Sequence, residues 1–107
     1  GGPSSAIAER VLKARNIQRE RFRGTGIFTN AEMSTKQLEQ FCPLSDACKD
    51  TLARIIDRLG LSARAYTRII KIARTIADLA GLPDILPAHL LEAAGYRFLD
   101  RRNVLDL

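Results

Sequence analysis

The sequence is short of most residues from which self-contained active sites are built. It has no tryptophan, one methionine, one histidine and two cysteines among 107 residues, and only 6% of them are aromatic. Cys42 and Cys48 stand six positions apart and His89 is the lone imidazole, so a four-ligand zinc site cannot be assembled within one chain. The two thiols are expected to be reduced, buried and unbridged. Apolar runs extend for only a few residues, which excludes a membrane-spanning helix. Neither a phosphate-cradling glycine loop nor a series of β-strands is present, which excludes a complete nucleotide-hydrolysing or dinucleotide-binding α/β domain. No serine or cysteine has a credible base beside it, and His89 is followed directly by Leu90 and Leu91, so a catalytic triad is not expected. No signal peptide is visible, and a cytoplasmic setting is the expectation; Gly1-Gly2-Pro3 reads as a tag or linker ahead of a single domain over residues 4–102.

What the chain does have is aliphatic residues at helical spacing and an excess of positive charge. There are 17 Lys+Arg against 12 Asp+Glu, a net +5, and arginine predominates. Arginine suits bidentate contact with phosphate or carboxylate. From Ser4 to Arg21, Ile7, Val11, Ala14 and Ile17 recur at helical steps, with Arg10, Lys13, Arg15, Arg19 and Arg21 on other faces, as on a solvated surface. The segment from Arg23 to Ser34 lacks a period and reads as a loop anchored by Ile27, Phe28 and Met33. Ser34 caps a short helix, Thr35 to Phe41, which must end before Pro43. Ser45 caps a third helix, with Ala47, Leu52, Ile55, Ile56 and Leu59 inward, that stops at Gly60.

The segment from Ser62 to Gly81 is the expected central helix. Tyr66, Ile69, Ile70, Ala73, Ile76, Ala77 and Ala80 keep a 3.6-residue period, with Ile72 and Leu79 widening the stripe. Arg64, Arg68, Lys71 and either Arg74 or Thr75 mark a basic face. Pro87 opens a last helix with Leu90, Ala94, Phe98 and Leu99 inward. The pattern predicts an all-α fold: a compact bundle of four main helices plus one short helix. Asp46, Glu92 and Asp100 read as helix-end and surface charges. Asp78 follows Arg74 at i+4, a pair worth a few tenths of a kcal/mol on an exposed helix.

Ser62 and Arg64 are the most informative positions. With Ser62 as N-cap, Arg64 lies in the first turn, where free backbone N–H groups and the helix dipole already favour an anion. Helix N-termini prefer acids, so an arginine here is either an ordinary surface residue or a group placed to meet phosphate.

The ordered series RVLKARNIQRERF, NAEM, LSARAYTRIIKIARTIADLAG and HLLEAAGYRFLDR resembles the C-terminal domain of magnesium-chelatase-like AAA+ ATPases, in the branch that includes ComM and YifB, over Ser5 to Arg101. The resemblance implies a helical lid that closes over ATP and Mg2+ held by a core domain, with Arg64 as the sensor 2 arginine and Ser62 supporting it. It also implies a parent ATPase that forms a homo-oligomeric ring, a hexamer by family likeness, and drives DNA branch migration in natural transformation. No cofactor is expected on the isolated chain, and no membrane partner. Two other readings stand beside it. In one, Arg10, Arg15, Arg19, Arg68 and Lys71 form a DNA-binding surface; in the other, the same residues make subunit contacts in a purely structural assembly domain.

Overall fold

Three serines set the starts of helices. Ser34, Ser45 and Ser62 all have extended backbone, and each side chain accepts a hydrogen bond from the amide three residues on, satisfying one of the donors that a helix start leaves free. In the computed structural model, which describes residues 3–96, the helices are α1 (Pro3–Arg21), α2 (Thr35–Phe41), α3 (Asp46–Leu59), α4 (Ala63–Leu79) and α5 (Pro87–Tyr96). No strand occurs among the described residues, and the fold is all-α, with α2 as the short helix. The α1–α2 loop contains one unexpected element, a single 3-10 turn at Asn30–Glu32.

Two helix ends depend on glycine. Gly60 and Gly81 have φ of 61° and 71°, and the amides of Leu61 and Leu82 reach back to the carbonyls of Ile56 and Ala77. Both closures need a left-handed residue, which glycine adopts without a steric penalty.

Helix α4 is central: it packs against α1, α2, α5 and the 3-10 turn, while α3 packs on α5. Its buried face carries Ile69, Ile70, Ala73 and Ala77; Leu90 and Ala93 of α5, Leu52 and Ile55 of α3, and Leu38 of α2 complete the core. Phe22, just after α1, meets the Phe41 ring edge-on with 5.3 Å between centroids. Cys42 and Cys48 are buried and unbridged. No helix among the described residues is long and apolar enough to cross a membrane.

Several expected core positions lie elsewhere. Ile7 is exposed because all of residues 4–10 lie outside the bundle, so that α1 packs only from about Val11 onward. Phe28 is 72% exposed; its neighbour Ile27 turns inward to pack on the core instead. In α3 the inward series is Cys48, Leu52 and Ile55, which leaves Ala47 on the outside. Tyr66 and Leu79 sit at the rim of the α4 stripe and Ala80 follows the end of the helix; all three are exposed. Phe98, Leu99, Asp100 and the expected end of the last helix lie outside the described residues.

Two outcomes follow. Leu90→Ala, which empties a fully buried site, is expected to lower unfolding free energy in urea by about 2–5 kcal/mol; exposed Leu91→Ala should stay within about 0.5 kcal/mol. Burial pushes the Cys42 thiol up to about 11. Because the neutral thiol is favoured in the folded state, its contribution to stability is complete below the ordinary thiol range and is lost as pH rises from about 9 toward about 11. A thiol reagent should label Cys42 at pH 8 only on unfolding, and urea midpoints should fall across that alkaline window in a manner that Cys42→Ala reduces.

Candidate functional site

At the start of α4 the backbone leaves Gly60, passes Leu61 and is capped by Ser62, whose Oγ accepts from the Ala65 amide at 3.2 Å. Arg64 follows in the first turn and is exposed. Its carbonyl accepts from Thr67 Oγ1 at 2.9 Å. Among the described residues its guanidinium makes no hydrogen bond or ion pair. A cation with unused donors therefore stands beside the free amides of a helix start, an arrangement that suits a phosphate oxygen.

The other basic candidates differ in exposure and in partners. Arg10, Arg15 and Arg19 are exposed on α1. Arg68 is half-buried and is not free. Lys71 donates from Nζ to the Ala31 carbonyl at 3.2 Å, which ties α4 to the 3-10 turn. Arg74, expected as one option for the basic face, is in the interior at 2% exposure. The basic face of α4 thus runs from Arg64 to Lys71 and stops there.

Arg74 belongs to a buried polar cluster that sequence reasoning did not assemble. Its Nε donates to Asp78 Oδ1 at 3.1 Å, and its terminal nitrogens donate to the Pro83 and Leu82 carbonyls at 2.9 and 2.8 Å. Arg21, expected on a solvated face, instead grips both oxygens of Asp78 at 2.8 and 2.7 Å and also donates to Asn30 Oδ1 at 2.8 Å. Asn30 Nδ2 donates to Asp78 Oδ2 and Thr75 Oγ1, and its backbone amide donates to Gln18 Oε1. The small value expected for an exposed i,i+4 pair does not apply, since the Asp78 side chain is fully buried between the two guanidinium groups. Charge-assisted hydrogen bonds in such a setting contribute about 1.5–3 kcal/mol each. One signal was present in the sequence: Ala14, Gln18 and Arg21 continue the inward phase of Ile7 and Val11, which places Arg21 toward the core.

The α1–α2 loop is fastened at its exposed end as well. Glu32 Oε2 accepts from the amides of Phe28 and Thr29 and from Thr29 Oγ1, at 2.8–3.0 Å. The backbone bonds from Phe28 and then Thr29 hold the Glu32 carboxyl below the usual carboxylate range. His89 is buried and has a capping role: its Nδ1 accepts from the Leu86 amide at 2.9 Å at the start of α5. Among the described residues no three His, Cys, Asp or Glu are grouped to hold a metal ion.

Comparison with known proteins gives a consistent set of matches. Residues 1–97 match the family described as "Magnesium chelatase, subunit ChlI C-terminal". The chain is 46% identical to "Competence protein ComM" of Haemophilus influenzae over 94% of its own length and 19% of that protein. It is 38% identical to "Uncharacterized protein YifB" of Escherichia coli with the same coverage, and 37% identical to "Uncharacterized protein Rv2897c" of Mycobacterium tuberculosis over 76% of the chain and 16% of that protein. The chain spans about a fifth of the length of the first two of these curated relatives.

Asp78→Asn keeps the size of the side chain but leaves two guanidinium groups in the interior without a carboxylate. Unfolding free energy in urea is expected to fall by about 3–5 kcal/mol. A loss of about 1 kcal/mol or less would mean that the cluster behaves as an exposed surface pair.

Proposed function

Since the chain belongs to the magnesium chelatase subunit ChlI C-terminal family, we propose that it is the helical lid of an ATPase, closing over ATP bound to a core domain outside this chain and supplying Arg64 as the sensor 2 arginine. The observation that carries this reading is the state of Arg64: exposed, in the first turn of the central helix, with no internal partner among the described residues. A planar guanidinium can pair with two phosphate oxygens and offset the negative charge that spreads over the transferred group. Ser62 supports it by holding the helix start in shape.

The chain's own contribution is limited to binding and positioning. Arg64 fits a phosphate of ATP as substrate, but one arginine is only a fraction of a hydrolytic site. Magnesium would be held by the ATP phosphates and by carboxylates of the core, where it would neutralise phosphate charge. By likeness to the ComM branch, the proposal extends to a cytoplasmic parent that assembles as a homo-oligomeric ring, a hexamer, and drives DNA branch migration in natural transformation.

One observation favours a second reading. Arg10, Arg15 and Arg19 are exposed on α1, and they are available for nucleic-acid phosphates or for an acidic surface on an adjacent subunit. Binding of the isolated chain to duplex DNA that weakens steeply with salt, and is lost when these three are replaced by alanine, would favour a DNA-binding module. Intact ring assembly that fails only in the same triple variant would favour a structural assembly domain.

The test of the leading reading is Arg64→Ala. In the isolated chain the substitution should change unfolding free energy by no more than about 0.5 kcal/mol. In the full-length protein it should slow ATP hydrolysis by about tenfold or more, the scale for removal of a charge-stabilising donor, with assembly unchanged. Arg15→Ala, an exposed arginine on another helix, should leave hydrolysis near the unsubstituted rate. Equal activity in the two variants would remove Arg64 from the nucleotide site.

A further inference from the structure

The buried cluster joins the last turns of two long helices, α1 and α4. Helix α1 is 19 residues long, about 28 Å, and its first part, residues 4–10, stands clear of the bundle. Its last turn is held twice, by Arg21 on Asp78 and Asn30 and by Gln18 on the Asn30 amide. Asp78 lies in the last turn of α4. Arg64 lies in the first turn of the same helix, about 21 Å away along an unbroken axis. Arg74 fixes that end of α4 to the following turn through the Leu82 and Pro83 carbonyls.

We propose that Arg21 is a positioning residue for Arg64: its paired hydrogen bonds to Asp78 make α1 and α4 one rigid body, so that the orientation of the projecting part of α1 sets where the Arg64 guanidinium lies. Apolar contact between two helices tolerates sliding and rotation, whereas a guanidinium on both oxygens of a carboxylate defines distance and direction together. When Arg21 is changed, Asp78 still keeps Arg74 and Asn30 as partners, so the carboxylate is not left alone in the interior. This inference rests on the sensor reading of Arg64, and its test separates the two.

Arg21→Gln is the informative variant, with two measurements. In the first, spin labels are placed on the 107-residue chain through Ala8→Cys on α1 and Ala63→Cys at the start of α4; the native thiols are buried. The label distance should be narrowly distributed with Arg21 present and should broaden or shift by several ångströms in Arg21→Gln, while circular dichroism shows unchanged helix content. An unaltered distance distribution would overturn the proposal whatever Arg64 does. In the second, ATP hydrolysis by the full-length protein is compared across Arg21→Gln, Arg64→Ala and the double variant. If Arg21 acts through Arg64, Arg21→Gln slows hydrolysis severalfold alone and adds less than twofold to Arg64→Ala, a non-additive result. A loss of folded protein would multiply the two effects, and that outcome would overturn the proposal. No effect of Arg64→Ala alone would overturn the sensor reading instead, and the label distances would still decide whether Arg21 sets the angle between the helices.

Discussion

A single buried carboxylate organises this molecule. Asp78 is shared by Arg21 and Arg74 and accepts a further bond from Asn30, so that α1, the 3-10 turn and α4 converge on one side chain, and the turn before α5 is joined to it through Arg74. Two cations and one anion in a dry interior would be costly without further compensation. The compensation is visible: surplus guanidinium donors go to the Leu82 and Pro83 carbonyls and to Asn30 Oδ1. Each of these acceptors belongs to an irregular segment, the α1–α2 loop or the turn before α5, and the cluster adds polar anchors there to the apolar ones of Met33 and Ile85.

The same residue type does two kinds of work here, and position on the helix separates them. Arg74 lies four residues before Asp78 and beside the buried Ala73 and Ala77, so its charge is committed inside the bundle. Arg64 lies in the first turn, before the stripe of α4 is covered by its neighbours, and its donors are unused among the described residues. Both belong to one continuous helix. A group used internally and a group open to an external anion are thus carried on the same helix.

The loop between α1 and α2 shows how such a scaffold holds a segment that has no period of its own. Asn30 fastens it from the interior and Glu32 from the exterior, through bonds to Gln18 and Thr75 on one side and to its own preceding amides on the other. Ile27 and Met33 complete the anchoring with apolar contact. Phe28 is left on the outer surface because its neighbour takes the inward position.

Helix number, the helix limits within the described residues other than the end of the last helix, and the central place of α4 were legible in the amino-acid order. Each depends on signals that act within a few residues: serine caps, glycine stops, proline exclusions and apolar spacing. Ser62 as a cap and the place of Arg64 just behind it were legible for the same reason. The fate of Arg21 was decided only by tertiary structure. Its partner lies 57 residues away, and periodicity can show that a side chain faces inward but not which charge waits there. Asp78 read as one half of a weak local pair until α1 brought a second arginine to it. Ile7 and Phe28 carried the right chemistry for a core, yet burial depends on what packs opposite, and nothing in a helical period reports where a bundle ends.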